Sequence, residues 1–425
     1  MALFIQGARL ADPSGSCFVE DILIQDGIVQ KTGLFTPPKN VLKINAGGLV
    51  CLPGLVDMHV HLREPGQTHK EDMVSGSRAA AAGGVTALLA MPNTIPPCDS
   101  PEAVRFVTRR GASLPVRVYQ AAAASKGLAG EQLNDFSVLK AAGAIAVSDD
   151  GRPLPDAGIM KQALIHAKAA GLPFLSHCED FSLSRGGLVN EGEISRILNV
   201  PGFGNDGEAV CVARDVAVAE CNSLPVHICH VSTAESVNII RSAKARGVSV
   251  TCETAPHYFT LTEDLLLSRD ADYRMNPPLR TRRDMKAVLA AITDGTIDAL
   301  ATDHAPHSPA EKADFFSAPN GVIGLETLLA VSYTRLVKPG HITLWRLAEL
   351  TSQAPSKILR LPFAGIKPGA PADFCLFDPD WEFTVEPEKS RSKSRNTPFK
   401  GMTFFGKVKY TICRGKVVFD SEHKF

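Results

Sequence analysis

The middle of the chain alternates between two hydrophobic patterns. Short, almost continuously apolar runs are followed by alanine-rich stretches with helical spacing, such as Lys70–Ala82 and Arg283–Thr293. Apolar strands that alternate with helices are typical of a parallel sheet covered on both faces. The runs are Leu55–Leu62, Val85–Asn93, Val116–Ala123, Ala144–Asp150, Pro173–Glu179, Pro225–Ser232, Val248–Thr254 and Ala299–His304.

Eight such units predict an α/β fold, a closed (β/α)8 TIM-like barrel over residues 54–361. The alternative is an open, doubly wound sheet, which commonly carries a glycine-rich nucleotide loop. Neither G-x-G-x-x-G after a strand nor G-x-x-x-x-G-K-[ST] occurs in the sequence, so we favour the barrel.

Both ends of the chain are strand-rich. Short β-type runs separated by turn residues occur near the start, as in Leu3–Ile5, and near the end, as in Val408–Ile412. Neither end alone is large enough to bury a good core. We therefore expect one small composite β-sandwich domain built from residues 1–53 and 362–425.

Composition narrows the class of protein. The 425 residues carry 45 Lys+Arg and 45 Asp+Glu, and this balance argues against a general binder of nucleic acid or anionic membranes. The basic segment Lys389–Arg395 is short and fits a solvated loop better than a nucleic-acid site. The weakly polar stretch Ala79–Met91 is shorter than the roughly 18 residues of a membrane helix.

The start of the chain does not resemble a signal peptide, and the ten cysteines include no C-x-x-C pair. We expect reduced, mostly buried thiols in a cytoplasmic protein.

Polar residues follow the apolar runs at the point where each run ends. In a barrel, these carboxyl ends surround one mouth, which is where barrel active sites lie. Imidazoles and carboxylates gathered at that density predict a metal centre. The polar run ends are His59–Arg63, Pro92–Asn93, Ser148–Asp150, Ser176–Glu179, Cys229–Ser232 and Thr302–His307.

The residue types favour Zn²⁺, since imidazole and carboxylate suit this ion and a catalytic site keeps one position open. His59 and His61 are two residues apart on a strand, so both side chains point to one face. His227 is out of phase with His230, so at most one of them faces the site. We assign no function to His227, nor to five other histidines, which are His69, His166, His257, His341 and His423.

Two long motifs resemble the signatures of dihydroorotases of the type I branch, in the amidohydrolase superfamily. They are Asp57–Gly66 (DMHVHLREPG) and Ala301–His307 (ATDHAPH). Shorter segments with weaker resemblance run through most of the chain. They are Met91–Thr94, Ser148–Gly151, Glu253–His257, Met275–Arg280 and Ser394–Phe399.

The resemblance implies a ligand arrangement. His59, His61 and Asp303 would hold one zinc ion, His177 and His230 a second, and Asp150 would bridge the ions or bind beside them. Asp150 is favoured over Asp149 because the family places this ligand immediately before a glycine. Many related hydrolases use a carboxylated lysine here, but the segment Ala144–Gly151 contains no lysine.

The resemblance also implies a substrate and its contacts. The activity would be the reversible interconversion of (S)-dihydroorotate and N-carbamoyl-L-aspartate in pyrimidine biosynthesis, with Asp303 as the base that takes a proton from metal-activated water. Arg63, Asn93 and His307 would bind the substrate carboxylate. The further contacts implied are His61, Asn276, Asn320 and Gly321.

Other functions remain open at this point. Another cyclic-amide hydrolase would act on hydantoins, dihydropyrimidines or allantoin, but Arg63, His307 and the missing lysine argue against it. A non-catalytic scaffold for aspartate carbamoyltransferase would normally have lost metal ligands, whereas all six are present in this sequence. The family implies a homo-oligomer, a dimer, with or without that carbamoyltransferase. We also expect residues 309–319 to form a loop beside the site that can move as a lid, with a fixed surface loop as the alternative.

Overall fold

The computed structural model describes residues 2–11, 14, 16–184 and 186–424. Within these residues, eight parallel strands follow one another around a barrel in chain order. The last strand region returns to the first, because His61 N–H donates to His304 O at 2.8 Å. The strands are Leu55–Val60, Val85–Ala90, Arg117–Ala123, Ala144–Ser148, Phe174–Ser176, Val226–Ile228, Val250–Thr254 and Ala299–Leu300. The predicted (β/α)8 barrel is confirmed.

Helices cover the outside of the barrel, and polar residues fix where they begin. Asp72 accepts from Ser75 N–H in a capping box, and Thr233 and Thr281 cap later helices by accepting from Ser236 N–H and Asp284 N–H. The longer helices are Met73–Ala82, Pro101–Gly111, Phe136–Ala142, Ala157–Ala170, Asn205–Asn222, Ala234–Ala245 and Arg282–Thr293. The shorter ones are Phe181–Ser184, Glu193–Leu198, Leu328–Ser332, Leu344–Ala348 and Ala354–Ile358.

Tight and wide helical turns complete the connections. The 3₁₀ turns are Lys126–Leu128, Glu263–Ser268, Ala271–Tyr273 and Pro387–Lys389. Two π-helical turns, Tyr333–Val337 and Glu349–Gln353, continue the helices that precede them. A separate two-stranded sheet, Val189–Asn190 with Gly202–Phe203, lies in the long connection after the fifth barrel strand.

The two chain ends form one sheet, as expected. Val50–Pro53 pairs antiparallel with Phe374–Thr384 and also lies beside Leu3–Ala11, which joins the N-terminal strands to the C-terminal ones. The other strands of this sheet are Cys17–Gln25, Ile28–Gly33, Leu42–Asn45, Thr403–Cys413 and Lys416–Asp420. The hydrogen bonds run continuously through the described strands, so the two chain ends form one eight-stranded sheet. The domain boundaries at 53/54 and 361/362 stay a prediction.

Hydrophobic burial separates these two parts. Leu3, Ile5, Phe374 and Ile412 belong to a core of the terminal sheet, whereas helices and barrel strands share a larger one. A smaller cluster that includes Met58 fills the barrel interior. These packed cores give the mouth of the barrel a rigid support.

Three smaller expectations can be compared with the structure. No described helix has the length and hydropathy needed to cross a membrane. All ten cysteines are free thiols, with only Cys17 and Cys221 exposed. In the basic segment, Lys389 pairs with Glu386 at 2.7 Å, Arg395 with Glu388 at 3.4 Å and Lys393 with Asp72, so neighbouring acids balance these cations.

Candidate active site

The barrel mouth brings together all six side chains proposed as metal ligands. They come from the ends of the first, fourth, fifth, sixth and eighth strands, although only His59 lies within a strand as assigned. The exposed fraction of each residue is between 1 % and 9 %. The six are His59, His61, Asp150, His177, His230 and Asp303. Their convergence is what a barrel imposes on strand ends.

Two carboxylates face the first pair of histidines. His59 Nε2 lies 3.2 Å from Asp150 Oδ1 and 3.6 Å from Asp303 Oδ1. His61 Nε2 lies 3.1 Å from Asp303 Oδ1 and 3.5 Å from Asp150 Oδ2. Each imidazole therefore directs Nε2 towards both acids.

Asp150 also faces the second pair of histidines. Its Oδ1 lies 3.5 Å from His177 Nδ1 and 3.8 Å from His230 Nε2, and these two ring nitrogens are 2.7 Å apart. Two ligand triads therefore meet at one residue: His59, His61 and Asp150 form one, and Asp150, His177 and His230 form the other. This arrangement is compatible with a carboxylate shared between two ions.

The donor set fits a zinc-type cation. Among the described residues, His59 Nε2 is buried without a hydrogen-bond partner, although it points into the cluster. Neutral imidazole nitrogens and carboxylates are the ligands that Zn²⁺ takes. Burial alone would raise the pKa of Asp303, but the opposing effect of His59 and His61 is larger and holds this pKa at about 2. The carboxylate is thus kept in its ligating form.

Two further acids orient the ligands, and sequence reasoning missed their role. Glu253 Oε1 lies 2.8 Å from His59 Nδ1, and Glu179 Oε2 lies 3.1 Å from His177 Nε2. Each contact is made by the ring nitrogen that faces away from Asp150. Partners of this kind fix the tautomer and orientation of a ligating histidine. The only signal in the sequence was their position at strand ends.

Two of the proposed substrate contacts, Asn93 and Asn276, lie against this cluster. Asn93 connects to it directly: its Oδ1 is 2.8 Å from His61 Nδ1, and its Nδ2 donates to Asp150 Oδ2 at 3.2 Å. On another side, Asn276 Nδ2 donates to Glu179 Oε2 at 2.8 Å. Both amides therefore touch residues of the cluster or their partners.

Arg63 and His307 form a second polar group in the mouth. Arg63 Nε donates to Pro306 O at 3.2 Å, and its Nη2 lies 3.3 Å from His307 Nε2. His307 Nε2 in turn lies 2.9 Å from Asn320 O. Gly321 has φ +141°, and a Cβ there would lie 3.0 Å from His307 Nε2, so the close approach requires glycine. Their roles towards a substrate stay predictions.

Asp149 faces away from the ligand cluster. Its Oδ1 accepts from Ala124 N–H at 2.6 Å and Ser125 N–H at 3.0 Å, and its other oxygen accepts from the Ser125 hydroxyl. The residue therefore anchors a neighbouring loop. This geometry agrees with the choice of Asp150 as the ligand.

Two of the histidines without an assigned function are buried. His227 Nδ1 is 2.9 Å from Thr251 Oγ1, and its Nε2 is 3.6 Å from Glu253 Oε2. His257 is also buried, and burial lowers its pKa to about 4. Neither belongs to the ligand triads described above.

The loop over residues 309–319 is strongly tethered. Lys312 Nζ donates to the carbonyl oxygens of Ala271, Arg274 and Pro319 at 2.8–3.1 Å. Arg274 Nη1 donates to Phe315 O at 2.5 Å. These bonds favour the fixed loop over the moving lid, although lid motion itself stays a prediction.

Comparison with known proteins agrees with this geometry. A family model described as dihydro-orotase-like matches residues 48–236. In solved structures, an L-hydantoinase (dihydropyrimidinase) from Arthrobacter aurescens shares 25 % identity at a TM-score of 0.88, covering 98 % of this chain and 96 % of its own. A dihydropyrimidinase from Brevibacillus agri NCHU1002 shares 24 % at a TM-score of 0.87, with 99 % and 96 % covered. These two structures support the fold.

Curated relatives are more similar in sequence. The dihydroorotase of Citrifermentans bemidjiense is 46 % identical over 99 % of this chain and 100 % of its own length. The dihydroorotase of Geobacter metallireducens is 47 % identical over 99 % and 100 %, and that of Acetivibrio thermocellus is 44 % identical over 98 % of each chain. With identity at this level along nearly the whole length, and with the motifs of the mouth in place, the chain belongs to the dihydroorotase family.

Proposed function

We propose that this protein interconverts (S)-dihydroorotate and N-carbamoyl-L-aspartate, the cyclic-amide reaction of pyrimidine biosynthesis. The observation that carries the proposal is the convergence of four imidazoles and two carboxylates beside Arg63, Asn93 and His307. The first group can hold a metal for amide hydrolysis, and the second offers donors for a carboxylate. The names of the curated relatives agree with this reading.

One or two zinc ions would be held by the six ligands, with Asp150 positioned to be shared. Bound zinc supplies Lewis acidity: it lowers the pKa of a water molecule towards about 7 and polarises a carbonyl oxygen. The order of the ligands around each ion follows the family resemblance. The buried His59 Nε2, which faces the carboxylates of Asp150 and Asp303 without forming a hydrogen bond, supports a cation in this place.

Asp303 is the proposed proton carrier. Its Oδ1 lies next to His59 and His61, and the second oxygen would be the atom that contacts the attacking water. It would accept the proton of the attacking water and deliver it to the ring nitrogen that leaves. A positioned base of this kind typically contributes about 10²–10⁴-fold in rate.

Arg63, Asn93 and His307 would bind the carboxylate that distinguishes dihydroorotate from simpler cyclic amides. A guanidinium can donate two parallel hydrogen bonds to a carboxylate, which gives direction as well as charge. Asn276 and the backbone at Asn320 and Gly321 would contact the ring amide.

The test is a side-by-side assay of the purified protein on dihydroorotate, hydantoin and allantoin, with zinc quantified in the same sample. We expect turnover of dihydroorotate far above that of the other two and one or two zinc ions per chain. Preferential turnover of hydantoin or allantoin, or no turnover with zinc bound, would refute the proposed function.

A pair of variants tests the base. Asp303→Asn is expected to lower kcat about 10²–10⁴-fold while the protein stays folded. Asp294→Asn, at an exposed aspartate that pairs with Arg241, is the matched control and should keep its rate. Near-normal turnover in Asp303→Asn would remove Asp303 from this role.

A further inference from the structure

A buried lysine without an assigned role lies behind the proposed carboxylate contacts. Lys70 follows the metal-binding motif and precedes helix Met73–Ala82, and only 7 % of the residue is exposed. Its Nζ lies 3.4 Å from His307 Nδ1 and 3.0 Å from Glu311 Oε1. Lysine is rarely buried unless its ammonium has a specific partner, so these two contacts account for its position.

The contact with Lys70 decides which nitrogen of His307 carries the proton. An ammonium has only donors, so Nδ1 must be the acceptor. The proton then resides on Nε2, where it can donate to Asn320 O at 2.9 Å. Burial, together with the charges of Arg63 and Lys70, lowers the pKa of His307 to about 2, so the ring is neutral and has a defined tautomer.

This tautomer also affects Arg63. Its Nη2 lies 3.3 Å from His307 Nε2, but two N–H groups that face each other form no hydrogen bond. The protons of Nη2 are therefore left for another acceptor. Because Arg63 Nε is held by Pro306 O, the guanidinium keeps its orientation while it offers those protons.

We propose that Lys70 is a positioning residue: it fixes His307 as the Nε2–H tautomer and thereby sets the preference of the site for substrates that carry a carboxylate. The proposal rests on the proposed function. Lys70 does not need to touch the substrate, since it acts through His307 and Arg63 and adds positive charge behind them.

Kinetics of Lys70→Met test the role. With dihydroorotate, we expect KM to rise about 10–100-fold, the range for losing a charge-assisted hydrogen bond, and kcat to change less than about threefold. With the methyl ester of dihydroorotate, which lacks the charge, kcat/KM should change less than about threefold. Lys70→Arg keeps a cationic donor and should restore most of the loss. Equal losses with acid and ester would overturn the proposal.

A second variant separates this role from a tether for the 309–319 loop. Glu311→Gln breaks the Lys70–Glu311 pair but keeps the lysine beside His307. We expect no rise in KM for dihydroorotate. If Glu311→Gln reproduces the loss seen in Lys70→Met, the lysine acts as a loop tether and the proposal is wrong.

The tautomer can be read without turnover. In ¹⁵N-histidine spectra, the signal that disappears in His307→Gln should show the Nε2–H pattern in the wild type and change in Lys70→Met. An unchanged pattern overturns the proposal, whatever the kinetics. A wild type that does not turn over dihydroorotate refutes the proposed function instead, and the spectra then decide the role of Lys70 alone.

Discussion

The hydrogen bond between Glu253 and His59 allows a quantitative prediction about metal retention. Glu253 Oε1 lies 2.8 Å from His59 Nδ1, and both residues are about 1 % exposed. Because the carboxylate accepts from Nδ1, the Nε2 atom keeps its lone pair. This lone pair is then available to a cation held between His59, Asp150 and Asp303. Glu253→Gln keeps the size of the side chain but removes its charge.

The expected magnitude follows from the kind of bond that is weakened. A hydrogen bond to a charged group contributes about 1.5–3 kcal/mol, and a neutral one about half as much. The amide oxygen of the glutamine can still accept, so Glu253→Gln should weaken zinc binding about tenfold. Glu253→Ala removes the acceptor and should weaken it about 100-fold, within the range found for residues behind a metal ligand.

The assay is zinc content after equilibration with a series of buffered chelator concentrations. Activity is a poor substitute, because a metal-free fraction and a slower enzyme would look alike. Glu263→Gln is the matched control: this is another buried glutamate, whose Oε2 accepts from Asn190, and it has no contact with the six ligands. It should retain zinc as the wild type does.

Two results would refute the reasoning. One is a Glu253→Ala protein that is folded and binds zinc with unchanged affinity, which would mean that His59 is held without this carboxylate. The other is an equal loss of zinc in Glu263→Gln, which would point to general destabilisation.

Three further predictions concern residues that support the site. Asp149→Ala leaves buried loop amides without an acceptor and should lower the free energy of unfolding by about 2–4 kcal/mol; an unchanged urea midpoint would contradict this. Asn396→Ala removes the side chain that donates to the carbonyl oxygens of Ala305 and Gly321, near His307. KM for dihydroorotate should therefore rise about tenfold. A loss confined to kcat would argue against a role in binding. Asp72→Ala removes the cap of helix Met73–Ala82 and should cost about 1 kcal/mol in urea unfolding; no cost would mean that water replaces the cap.

The strand positions could be predicted from the sequence because a parallel strand that is buried on both faces is a continuous apolar run. The predicted run Val116–Ala123 became strand Arg117–Ala123, whereas Ala299–His304 shortened to Ala299–Leu300. In the second case the apolar and polar residues that follow the strand line the mouth. The local hydrophobic pattern cannot distinguish these residues from strand residues, since residues of both kinds are buried.

The supporting residues were harder to predict. Glu253 lies 194 positions from its partner His59 in the chain, and Lys70 lies 237 positions from His307. A single charged residue has no periodicity that would reveal such a partner. These pairings depend on how neighbouring strands and loops pack, so they become visible only in three dimensions.

The direction of the side chains at the mouth depends on backbone conformations that the hydrophobic pattern of the sequence does not predict. Arg63, His230 and Asp303 have φ values of 58°, 36° and 48°, in the left-handed region that costs a non-glycine residue about 1–3 kcal/mol. The alternation of strand side chains accounts for His59 but not for these three, which lie beyond the assigned strands. Next to Asp303, the buried carboxylate of Asp57 accepts from Thr302 N–H at 3.1 Å and from its hydroxyl at 2.6 Å. The first strand thus holds the end of the eighth, and this bond between distant motifs helps to keep a strained aspartate directed at the ligand cluster.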